Sequence, residues 1–131
     1  MDFEYSLRPG YLLVTVTGGF NACRARVELG NIVRQSARSG YDRILVDARA
    51  MQAEVSVADR YELATRLAAM AAEPFRMAIL VSGSHLGTKM LEDTAVNRGL
   101  KVCTTDSPVE AHEYLGLNPR PAPSVRASLS P

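Results

Sequence analysis

Met77-Ala78-Ile79-Leu80-Val81 is an unbroken apolar run set between Arg76 and Ser82. A run this short without alternation reads as a strand buried on both faces, the kind found inside a sheet covered by helices. Its neighbours agree with that reading. Upstream, Ser56 to about Ala72 has a helical period with Tyr61, Ala64, Leu67, Ala68 and Ala71 on the inward side and Pro74 just beyond its end. Downstream, Ser84 to Arg98 reads as a helix stopped by Gly99, and Lys101 to Thr104 as a further strand. Strands alternating with helices in this way predict an α/β domain built on a parallel sheet.

The pattern continues to both ends of the chain. Phe3, Tyr5 and Leu7 alternate with Glu4, Ser6 and Arg8, Pro9-Gly10 supplies the central residues of a type II turn, and Leu12, Val14 and Val16 resume the alternation. Asn21 is an N-cap for a helix to about Ser39, with Ala25, Leu29, Ile32, Val33 and Ser36 as its apolar stripe and Gly40 as its stop. Arg43 to Asp47 reads as a short buried strand. Ser107-Pro108-Val109-Glu110 combines an N-cap, a proline at the first helical position and a glutamate at the third, and so opens a last helix. The expected order is β-β-α-β-α-β-α-β-α: one α/β domain over residues 1–117, with a mixed, mostly parallel sheet and its helices mainly on one face. Residues 118–131 hold four of the seven prolines among Ser and Ala, which predicts a disordered tail with too little apolar surface to pack.

Composition narrows the function. With 47% hydrophobic and 22% charged residues the chain is an ordinary folding sequence. Fifteen Lys and Arg balance fourteen Asp and Glu to a net charge of +1, which lacks the positive field of a nucleic-acid binder. No apolar run approaches the roughly 18 residues that span a membrane, and the start Met1-Asp2-Phe3-Glu4-Tyr5 has no secretory pattern, so a cytoplasmic protein is expected. Cys23 and Cys103 are far apart and read as reduced, packed thiols.

Few residues are placed for chemistry. His85, His112 and the two cysteines occur singly, without metal-ligand spacing, so no metal is expected. Gly83 and Gly87 are one residue too close for a phosphate loop, and no dinucleotide or hydrolase motif is present, so neither a cofactor nor catalysis is expected. Asp47, Ser82 and Asp106 each end a predicted strand, and with Ser84 and His85 they make a candidate ligand or partner edge at the carboxyl end of the sheet. Glu28, among Arg24, Arg26, Arg34 and Arg38, reads as part of a solvated helix face. If all crossover helices cover one face, the other presents Leu13, Thr15, Leu45 and part of Met77 to Val81, an apolar patch that predicts a homodimer with Leu13 and Leu45 at its face.

Three stretches carry a family resemblance: Arg43-Ile44-Leu45-Val46-Asp47-Ala48-Arg49, the helix Val57-Ala58-Asp59-Arg60-Tyr61-Glu62-Leu63, and Ala95 to Val102 followed by Glu110-Ala111-His112-Glu113-Tyr114-Leu115. With the element order they make residues 3–116 resemble the STAS domain of anti-sigma-factor antagonists, and within it a bacterial anti-anti-sigma-like branch akin to lipid-transfer domains. The resemblance implies a sheet of four or five strands wrapped by helices, without catalysis. It implies a regulatory or scaffold module that binds a protein partner or, alternatively, a carrier or sensor of a small apolar or lipid-like ligand held between the second and third helices and the sheet. In the sporulation regulators of this family a serine opening the helix after the third strand is phosphorylated, and Ser56 stands in the comparable place, nine residues after Asp47. The surrounding Ala53-Glu54-Val55-Ser56-Val57-Ala58 lacks that motif's second serine and glycine, and Ser56 with Asp59 also makes a capping box.

Overall fold

A computed structural model of the chain describes residues 1–52, 55–71, 75–82 and 100–117. The elements are β1 (Asp2–Arg8), β2 (Tyr11–Gly19), α1 (Ala22–Ser39), β3 (Arg43–Gln52), α2 (Val57–Met70), β4 (Arg76–Leu80), β5 (Lys101–Thr105) and α3 (Pro108–Tyr114). The helix expected over Ser84 to Arg98, its stop at Gly99 and the tail over 118–131 lie outside the described residues.

The strands form one sheet in the order β1-β2-β3-β4-β5. β1 is antiparallel to β2, and the remaining neighbours are parallel. Local chemistry sets the element ends. Gly10 takes φ +88 in the two-residue turn that pairs Arg8 with Tyr11, a backbone state that favours glycine. The Asn21 side chain accepts from the Arg24 amide at 2.9 Å to open α1, and Gly40, at φ +76, closes it by donating to the Ser36 carbonyl at 3.1 Å.

α1 and α2 share one face of the sheet, where Ile32, Ala64 and Leu67 pack onto Val14, Ile44 and Met77. α3 covers the other, packing Ala111 and Leu115 onto Leu45, Ala78 and Leu80. This corrects the expected bare face. Leu45 is only 4% exposed and is a core residue rather than an open dimer face, whereas Leu13 stays half-buried at the margin of the same cluster. The reason is topological: among the described residues α3 follows the last strand and connects to no further one, so the handedness rule that puts crossover helices on one side does not act on it. Burying Leu80 and Leu115 contributes about 1.5–3 kcal/mol each, enough to seat a helix this short.

Both ends of α3 are tied down. At its start the Ser107 amide donates to Thr105 Oγ1 at 3.1 Å, and the Thr105 hydroxyl donates to the Glu110 carboxylate. The threonine thus relays a capping box in which the glutamate ordinarily reaches the N-cap amide itself. At its end Arg76 of β4 donates to the Tyr114 carbonyl at 2.9 Å and lies 5.6 Å from that ring's centroid.

Three assignments shift. β3 runs to Gln52, so Asp47 is interior to it rather than terminal. Tyr61 is 51% exposed, because at about 100° per residue it lies about 120° around α2 from Leu67. Glu28 is 6% exposed, because it continues the Ala25, Ile32 and Ser36 stripe that faces the sheet.

Candidate functional site

Parallel strands and antiparallel-running helices place the N-termini of α1 and α2 at the carboxyl end of the sheet. Ser56 is exposed there with φ −64 and ψ 158, and its hydroxyl accepts from the Asp59 amide at 3.1 Å. That is N-cap geometry, and Asp59 in the first turn adds a favourable charge to the helix dipole. The next residue, Val57, is 57% exposed, and Tyr61 stands one turn on along the same side.

The other residues of the expected edge divide. Asp47 is half-buried and bound to Arg49 of its own strand: Nε donates to Oδ1 at 3.0 Å, Nη2 to Oδ2 at 2.8 Å, and the Arg49 amide to Oδ1 at 3.2 Å. These bonds, the side-chain pair foremost, lower the Asp47 pKa against the opposing effect of its burial. Such a carboxylate accepts hydrogen bonds and does not store a proton at neutral pH. Ser82 is half-buried beyond the end of β4, and Asp106 is exposed beyond the end of β5. Asp47 is registered with Leu80, the last residue of β4, which in turn pairs with Thr105, the last of β5, so although interior to β3 it stands level with the carboxyl ends of β4 and β5. Ser84 and His85 lie outside the described residues. His112 is half-buried on α3, with Nδ1 2.8 Å from the Pro108 carbonyl oxygen. Among the described residues no group of three His, Cys, Asp or Glu side chains is placed to hold a metal. Among them, too, no helix is long and apolar enough to cross a membrane.

Two features were not read from the sequence. Cys23 is exposed in the first turn of α1 rather than packed, and Arg26 Nη2 donates to its sulfur at 3.2 Å. Arg26 also bonds Glu62 at 3.0 Å, and Glu62 holds Arg66 at 3.2 Å, which bridges α1 to α2. The second feature is an apolar pocket of about 140 Å³ between α1, α2 and the sheet, with Phe20, Met51 and Val55 among the residues that line it. Its floor depends on a bulge. Thr15 pairs with Asp47 but Thr17 pairs with Ala50, so β3 carries one extra residue there. The extra residue reverses the alternation, which brings Met51 onto the same face as Ala48.

No family model and no curated protein matches the sequence. Among solved structures the chain is similar to the crystal structure of an anti-sigma factor antagonist from Mycobacterium paratuberculosis. The TM-score is 0.62 at 13% identity, over 88% of this chain and 93% of that one. At that identity the likeness is one of architecture, and the chain has the STAS-like fold of an anti-sigma factor antagonist.

Proposed function

We propose that this chain is a non-enzymatic regulatory module that docks a protein partner over the N-terminal end of α2, with Ser56 as the position where modification controls docking. The observation that carries the reading is the placement of Ser56 on a STAS-like fold: an exposed N-cap followed by the exposed apolar side chains of Val57 and Tyr61. Exposed apolar residues beside a modifiable hydroxyl suit an interface that a phosphate disrupts by charge and desolvation. The same hydroxyl caps the helix, so a phosphate there meets a favourable dipole and leaves the fold intact while changing the surface. Regulation then acts on binding and spares stability.

The test is site-specific photocrosslinking in the native host. A photoreactive phenylalanine derivative at position 57 is expected to give one discrete protein adduct, and the same group at Leu7, 63% exposed on the opposite edge strand, none. Adding Ser56→Glu to the position-57 variant should suppress the adduct. Equal adducts from both positions, or an adduct indifferent to Ser56→Glu, would remove the basis for this reading.

A further inference from the structure

The pocket between α1, α2 and the sheet differs from a surface groove in its lining. Phe3 and Val16 enter from the β1–β2 hairpin, Ala48 and Met51 from β3, and Leu29 and Leu67 from the two helices, and among the described residues every other one that lines it is apolar as well. Native interiors pack to crystalline density, and voids that exceed one water molecule are few in a domain of this size. A cavity without polar partners gives water nothing to bond and stays dry, and apolar cavities of roughly 150 Å³ take up benzene. At about 140 Å³ this pocket is that size.

Two small side chains create the space. Ala25 on the roof and Ala48 on the floor are each 7% exposed, in positions where a Leu or Ile would fill the gap. The bulge in β3 adds Met51 to the wall, and methionine adapts to varied apolar shapes. We propose that this pocket is a binding site for a compact, uncharged hydrocarbon group of about six carbons, selected by volume and by the absence of any hydrogen-bonding partner. The site lies on the buried side of α2 and is independent of whether a protein docks on the exposed side.

Benzene is the probe, and the full chain labelled at its methionine methyl groups is the reporter. Met1, Met51 and Met77 line the pocket, whereas Met70, 41% exposed at the end of α2, does not. The methyls of Met51 and Met77 should shift saturably, with half-saturation at roughly 1 mM, the affinity expected for burying six carbons. Met70 should stay in place. Ala48→Leu should weaken binding at least tenfold without lowering the melting temperature, since it fills a void. Ala25→Leu repeats the test from the roof. Benzene-to-methyl nuclear Overhauser contacts at Met51 and Met77 in the wild type decide the matter should neither variant fold. Competition by 1-octanol assigns the group to the end of a longer chain, and failure to compete assigns it to a free compact molecule. An absence of saturable shifts in the wild type, or binding unchanged in both filled variants, would overturn the proposal.

Discussion

Tyr5 of β1 donates its phenolic proton at 2.7 Å to the carboxylate of Glu28, a charged residue buried in α1. Arg24, one turn earlier, bonds the same carboxylate at 3.0 Å and lies 5.8 Å from the Phe3 ring centroid. The edge strand is thus fastened to the first helix by a buried acid with partners on both sides, which is the condition under which a buried charge is tolerated.

Removing either partner should be felt. Tyr5→Phe is expected to cost about 1–2 kcal/mol in urea denaturation, because a bond to a charged acceptor is lost while Arg24 remains. Glu28→Leu should restore part of the loss when added to Tyr5→Phe, since replacing both partners leaves no orphaned polar group. Additive losses in the double-mutant cycle would contradict the coupling.

The same contact sets an alkaline limit. Burial, and then the Glu28 carboxylate, raise the Tyr5 pKa by disfavouring the phenolate. A raised folded-state value means the contribution is complete below the unfolded value of about 10 and is lost as the pH climbs from there through the folded value. Stability should therefore fall above about pH 10, and Tyr5→Phe should remove that component of the slope. Chemical denaturation between pH 8 and pH 11 measures it.

Asp47 has the opposite sign. Its pKa is depressed by Arg49, so its contribution is present above the unfolded value near 3.9 and disappears as the pH falls through the lower folded value. The pair is partly exposed, and Asp47→Asn should cost no more than about 1 kcal/mol at neutral pH while flattening the acid limb below about pH 4. A steeper acid limb in the variant would refute this.

Ser56→Ala should lower stability by about 1 kcal/mol through loss of the cap, whereas Ser56→Asp should be nearly neutral because a carboxylate also caps and suits the helix dipole. Urea midpoints at constant m-value test the cap separately from the docking proposed for this end of the helix.

Thr105→Val keeps the shape of a side chain that is 2% exposed but removes the relay between Ser107 and Glu110. The expected loss is about 1 kcal/mol, the cost of leaving the half-buried Ser107 amide without its partner. Leu45→Ala should cost about 2–5 kcal/mol as a core truncation, and Leu13→Ala clearly less, which separates the side chain beneath α3 from the one at its margin.

Sequence alone determined the elements whose causes are local. The Pro9-Gly10 turn, the Asn21, Ser56 and Ser107 caps, the Gly40 stop and the apolar strand at Met77 depend on neighbours within a few residues, and a one-dimensional reading captures them. It also gave the order of elements along the chain but left the order of strands in the sheet open, since right-handed crossovers are compatible with more than one order; the structure sets β1-β2-β3-β4-β5. Tertiary structure decided what depends on distant partners. The burial of Leu45 waited on where α3 would lie, and the burial of Glu28 on Tyr5 arriving from a strand 23 residues away. The pocket waited on one extra residue in β3, which turned Met51 toward Ala48 against the period of two. A hydrophobic period records that a residue is buried, and only the packed chain decides which partner buries it and how much room is left between them.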